Sequence, residues 1–313
     1  MSPTLFTERT ELPSQRPPSP APTATAPPLA PSGGFVHRHQ VLTYFVLVIA
    51  LSWGAILLVT GGVGPIGSTD PRFLFIALTA PVAPAIVGLL LTGLVAGRAG
   101  YRDLFARLLR WRVGVRWYAV ALLTAPLLTV TAAVLLALAL RSSEFLPVIL
   151  TTTDPLGLLL PGVVGGLVAG FCEELGWTGF AIPRLRLRYG VFATGLLVGV
   201  VWGAWHFPLF REGASFSGAL PLAVLLLQLF AWLPAYRVLM VWVYDQTGSL
   251  LVTMLMHASL VASQLILLPA ITGEATTLVW ILGWAAALWV VLAVAAVATG
   301  GQFTRQPLRT QVA

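Results

Sequence analysis

Lysine is absent from this 313-residue chain, and all eighteen basic side chains are arginines. Charge of either sign is scarce: 9% of residues are charged against 58% hydrophobic. That balance excludes a soluble globular domain and points to a chain that crosses a membrane several times. The formal charge of +7 is no nucleic-acid footprint, because the arginines fall in loops at the ends of apolar runs. Cys172 is the single cysteine, so no intrachain disulfide forms. Walker loops, dinucleotide fingerprints, Cys-rich metal patterns and internal repeats are all missing. Nucleotide-driven chemistry has no anchor in such a sequence, and a transporter built on inverted repeats gains no support.

Residues 1–39 hold nine prolines among Ser, Thr and Ala and are expected to be a disordered tail. Apolar runs follow at 40–61, 73–97, 115–140, 156–182, 191–210, 218–243, 249–268 and 275–299. Each is about 20 residues or longer, the length of a membrane helix. The fold expected is an all-α membrane protein of about eight transmembrane helices over 40–300, in contact with membrane lipid. Arg98, Arg102, Arg107, Arg110, Arg112 and Arg116 crowd one connection, and Arg184, Arg186 and Arg188 another on the same side. The positive-inside rule then places both termini in the cytoplasm, with 301–313 as a cytoplasmic tail. The Arg-only, Pro/Ala-rich composition suggests the plasma membrane of a bacterium.

Glu173 and Glu174 stand side by side within the apolar run 156–182. Each charge costs about 2.5–3.5 kcal/mol at the centre of a membrane helix on insertion scales, so a functional role is expected. Gly162, Gly166 and Gly170 recur every four residues and Glu174 continues their row, which places it in a close helix–helix seam. Glu173 is rotated about 100° away, in line with Ala169 and Trp177. The run 191–210 carries Gly195, Gly199 and Gly203, then Trp202-Gly-Ala-Trp-His206, which puts His206 on the same small-residue face. His257 lies in the run 249–268. Two histidines and a carboxylate pair, all within the membrane, can activate water for hydrolysis or relay protons. Arg237 is the single arginine well inside a span and is expected to pair with Glu174 or Glu173. Counted at about 1.5 Å per residue, Glu173 lies about 15 Å deep, His257 about 12 Å and His206 near 24 Å. The three then meet only if residues 190–195 lie outside the membrane or their helix is strongly tilted.

Glu173-Glu-Leu-Gly-Trp-Thr-Gly-Phe-Ala-Ile-Pro183 resembles the first motif, Glu-Glu-x-x-x-Arg, of the CPBP (Abi) intramembrane endopeptidases, the CAAX prenyl endopeptidase and bacteriocin-processing proteins. Trp202 followed by His206 resembles their second motif, and His257 their third, His-x-x-x-Asn/Asp. The resemblance covers about 155–265. It implies an intramembrane endopeptidase acting on a peptide or protein substrate at a cytoplasm-facing cavity. Glu173 is then the base on a water held with His206, His257 the oxyanion partner, and Glu174 the residue that fixes the packing. Thr178 stands where the family has Arg, and Val261 where it has Asn or Asp. Gln264, two turns beyond His257, is a candidate replacement donor. Glu173, His206 and His257 would also satisfy a catalytic zinc with an open position, and the resemblance leaves metal-dependent and metal-free mechanisms both open. The two departures keep a non-catalytic, regulatory or immunity role in view, beside the proton-coupled transporter.

Overall fold

The computed structural model describes residues 34–61, 72, 76, 80–301 and 303. The tail expected over 1–39 lies outside them up to 33. Its end is ordered, since Phe35–Arg38 form one exposed helical turn. Most of 301–313 also lies outside, although Phe303 is buried and stacks on Trp242. Among the described residues there is no strand, only an isolated bridge between Pro147 and Pro269.

Nine helices carry the described fold. They are α1 Gln40–Thr60, α2 Val82–Leu108, α3 Val115–Leu140, α4 Pro155–Gly176, α5 Val191–Trp205, α6 Ala219–Phe230, α7 Leu233–Thr247, α8 Leu250–Leu267 and α9 Glu274–Ala298. Seven spans are long and apolar enough to cross a membrane, with α6 and α7 forming one of them, and α5 is a shorter apolar helix. The protein is therefore an all-α, multi-pass membrane protein, close to the eight spans expected.

Four boundaries differ from the sequence reading, each for a local reason. The start expected at 73 falls largely outside the described residues. Helix α2 does not end at residue 97: it kinks at Gly97 (φ 54°, ψ −143°) and runs on to Leu108. Tyr101 beyond the kink donates back to the Leu89 carbonyl at 2.9 Å, so Arg98, Arg102 and Arg107 are helical rather than in a loop. Helix α5 stops at Trp205 because Pro208 opens the short turn Phe207–Phe210. The single span expected over 218–243 is broken at Ala231–Trp232, where Pro234 starts α7, which then runs on to Thr247. Finally, α4 continues as a π turn over Trp177–Ala181 and a last helical turn Ile182–Arg186. Pro183 has no N–H for the Gly179 carbonyl, and Arg107 Nη2 takes that oxygen at 3.0 Å.

Small residues set which helices touch. The face of Gly162, Gly166 and Gly170 lies against α8: a Cβ on Gly170 would meet the Met254 carbonyl oxygen at 2.5 Å and Ala258 N at 2.6 Å. The face of Gly195 and Gly199 lies against α7 in the same way, 2.5 Å from Val238 Cα and 2.4 Å from Pro234 Cα. Helices α4, α5, α7 and α8 thus form a tight inner group. Arginines tie its ends at one side, where buried Arg186 pairs with Asp245 at 2.8 Å and Arg107 Nη1 donates to the Tyr244 hydroxyl at 2.9 Å.

This packing separates two glycines of the same helix, Gly170 and Gly165. Gly170→Ala places a methyl against backbone and is expected to destabilise by about 1–3 kcal/mol, an overpacking cost. Gly165→Ala meets only the flexible end of Leu265, at 3.2 Å. It is expected to be neutral or to stabilise by about 0.5–1 kcal/mol through helix propensity. Thermal unfolding of both variants in one detergent reads the contrast.

Candidate active site

The last turn of α4 delivers both carboxylates. Glu174 is one turn beyond Gly170, so it emerges where α8 comes closest. There His257 Nδ1 lies 2.8 Å from Glu174 Oε1. Arg237 of α7 reaches the same oxygen, Nη1 to Oε1 at 2.7 Å. The Thr178 hydroxyl, one turn further along α4, donates to Glu174 Oε2. Glu174, Arg237 and Thr178 are wholly buried and His257 nearly so. Both oxygens of Glu174 are therefore engaged, by donors from three helices. A buried carboxylate needs this degree of pairing, because desolvation otherwise exceeds the attraction gained.

Glu173 faces α5. Its Oε2 accepts from Trp202 Nε1 at 2.9 Å and from Trp177 Nε1 at 3.3 Å. Both described bonds end on one oxygen, which leaves Oε1 for another donor. His257 Nε2 stands 3.9 Å from Glu173 Oε2, too far for a direct hydrogen bond. The His257 ring thus lies between the two carboxylates, bonded to Glu174 and turned toward Glu173.

Trp202 connects the two halves. Its N–H holds Glu173, the Arg237 guanidinium lies 4.1 Å over its ring, and its edge meets His257 at 5.1 Å between centroids. A cation over an indole face is attracted by the ring quadrupole. Arg237 Nε and Nη2 are buried with no hydrogen-bond partner among the described residues, so the ring face and Glu174 are what compensate its charge. On the far side Trp177 packs against Tyr44 and Phe45 of α1 and against Trp205. The π turn Trp177–Ala181 begins at these residues, which fits the frequent use of π bulges at functional sites.

Of the residues singled out by sequence, Glu173, Glu174, Trp202, Arg237 and His257 come together. His206 is the C-cap of α5, with helical backbone angles; its Nδ1 lies 2.8 Å from the Trp202 carbonyl, and its ring stacks on Phe210. The Trp202 indole meets both histidines, His206 at 5.3 Å and His257 at 5.1 Å between centroids. Gln264 has no described hydrogen bond to this group. It lines a cavity of about 680 Å³ with Phe210, Arg211, Glu212 and Trp232. That cavity opens between the α5–α6 and α8–α9 connections, at the end of the inner helices away from Arg107 and Arg186. A cavity on the arginine side, as expected, is not what adjoins His206.

Zinc does not fit the candidate set Glu173, His206 and His257. Among the described residues no three His, Cys, Asp or Glu side chains are spaced to share an ion. Glu173 Oε2 moreover accepts two indole N–H groups, so that oxygen is already engaged. Two contributors escaped the sequence reading. Trp177 shares the face of Glu173 by spacing, but nothing marked its indole as a donor. Thr178 read as a loss, yet its hydroxyl serves Glu174 while Arg237 brings the positive charge.

Comparison with known proteins finds likeness in the part of the chain that carries these residues. Residues 155–263 match the family described as type II CAAX prenyl endopeptidase Rce1-like. Over 51 residues the chain is 43% identical to CAAX prenyl protease 2 of Methanococcus maripaludis, a stretch making up 16% of this chain and 19% of that protein. The match thus spans about a fifth of the relative's length. The family resemblance read from the motifs is borne out over 155–263, the part that holds both carboxylates, Trp202, His206, Arg237 and His257.

The pair Arg237–Glu174 yields a stability prediction. Arg237→Ala strands a buried carboxylate and is expected to cost about 3–5 kcal/mol. In the Glu174→Gln background the same change is expected to cost at least about 1 kcal/mol less. Unfolding of the four proteins of this cycle measures the coupling, and additive losses would mean that the pair carries none.

Proposed function

We propose that the protein is an intramembrane endopeptidase of the CAAX-protease type that hydrolyses a peptide bond with a glutamate-activated water. The observation that carries this reading is the asymmetry of the carboxylate pair: Glu174 has both oxygens engaged, whereas the described bonds to Glu173 leave Oε1 available. Glu173 is accordingly the general base and Glu174 the positioning residue. A water on Glu173 Oε1 gives up a proton to that oxygen as its own oxygen attacks the peptide carbonyl carbon. The protonated Glu173 then returns the proton to the leaving amine as the C–N bond breaks.

The histidines divide by their hydrogen bonds. His206 Nδ1 faces a carbonyl, so its proton sits there and Nε2 carries a lone pair able to hold the same water. His257, held through Nδ1 by Glu174, turns its Nε2 edge toward Glu173 and is the partner of the carbonyl oxygen as that atom gains charge. The substrate is a membrane-anchored peptide or protein in this reading, and the arginine-rich end of the helices, with both termini, faces the cytoplasm.

Val261, standing where the family has Asn or Asp, sustains one rival, a binding protein that does not turn over. Peptide libraries in proteoliposomes, analysed by mass spectrometry, separate the two. Product peptides are expected from the native protein, and Glu173→Gln is expected to lower their rate by about 10²–10⁴-fold. Unaltered cleavage by Glu173→Gln would remove the assignment, and no cleavage by the native protein would favour the rival.

A further inference from the structure

A second cavity, of about 440 Å³, lies between α1 and α5, apart from the carboxylate cluster. Its rim carries His37, Arg38, His39, Arg184 and Arg188. Its wall runs along Phe45, Leu197 and Val201. Leu197 and Val201 lie about 9 and 15 Å along α5 from Val191. One end of the cavity is thus cationic and sits where the helices leave the membrane, and the other is apolar and follows the helix inward.

Arg184 is built into this rim. Its Nε donates to Gln40 at 2.7 Å and its Nη1 to the Phe180 carbonyl at 2.9 Å, with the guanidinium 3.7 Å over the Phe180 ring. Among the described residues its Nη2 has no hydrogen-bond partner, and neither Arg38, Arg184 nor Arg188 has a carboxylate within ion-pair distance. Asp103, whose charge reaches Arg184, is itself paired with Arg107 at 2.9 Å. A fixed guanidinium beside two exposed ones presents donors suited to phosphate oxygens.

We propose that this cavity binds an anionic phospholipid, its phosphate at Arg38, Arg184 and Arg188 and an acyl chain along Phe45, Leu197 and Val201. Basic pockets between membrane helices hold anionic head groups by this combination of charge and depth. The apolar wall is what selects a lipid over a soluble phosphate. The site is independent of the peptidase reading, since none of its residues touches the carboxylate pair.

Native mass spectrometry of the full chain in neutral detergent tests the proposal, with phosphatidylglycerol, phosphatidylcholine and inorganic phosphate as probes. Phosphatidylglycerol is expected to be retained in preference to phosphatidylcholine. The exposed double variant Arg38→Gln/Arg188→Gln is expected to weaken that retention roughly tenfold and leave phosphatidylcholine unchanged. Val201→Trp, which fills the apolar end, is expected to weaken it as well; if that variant aggregates, the arginine variant alone decides. Undiminished phosphatidylglycerol binding by the double variant, or equal binding of phosphatidylcholine, overturns the proposal. Displacement of the lipid by inorganic phosphate overturns it too, leaving a soluble-anion site instead.

Discussion

The carboxylate of Glu174 is the constraint on which the inner helices depend. It lies fully buried in a seam between membrane helices, where an ionised group without partners is untenable. Its three donors come from α4, α7 and α8, so these helices must hold one relative position for the charge to be tolerated. The glycine face of α4 makes that position reachable, because α8 can approach only where Gly166 and Gly170 present no side chain. Packing and electrostatics are here one requirement. Loosen the seam and the donors withdraw; remove a donor and the seam encloses a stranded charge.

Adjacent residues on a helix diverge, and this turns one sequence pair into two chemical environments. Glu174 points into the seam and is saturated, while Glu173 points at α5 and meets two indoles. Trp202 is common to both sides, as donor to Glu173 and as the ring beneath Arg237. Moving the positive charge from position 178 to Arg237 has a structural consequence. The cation arrives from another helix, so α7 becomes part of the site and Thr178 is free to act as a small hydroxyl donor.

Much of this was legible because membranes make charge conspicuous. The apolar runs, the glycine rows, the Glu pair and the lone intramembrane Arg237 all follow from insertion cost and helical spacing. What spacing could not convey is where a helix stops. His206 was assigned to a helix reaching residue 210, but α5 ends at Trp205 and His206 is its C-cap. The break before Pro234 is of the same kind, since an apolar profile does not register a turn inside an apolar stretch, whereas α2 runs past Gly97 because a polar stretch can stay helical. Gln264 was placed by face alone, and two turns of helix carried it to the lining of the cavity beside Phe210. The indole donors of Trp177 and Trp202 depend on a tertiary approach and a π turn that no local pattern announces.

The claim at the centre is that neighbouring glutamates do different work, Glu174 holding the helices and Glu173 standing ready for chemistry. Thermal unfolding of Glu173→Gln and Glu174→Gln, each in the full chain and the same detergent, addresses it directly. Glu174→Gln leaves buried Arg237 without its counter-charge, so the account predicts a loss of about 3–5 kcal/mol for it. Glu173→Gln keeps an oxygen for both indoles and is predicted to stay within about 1 kcal/mol of the native protein. Equal losses, or a larger one for Glu173→Gln, would contradict the division.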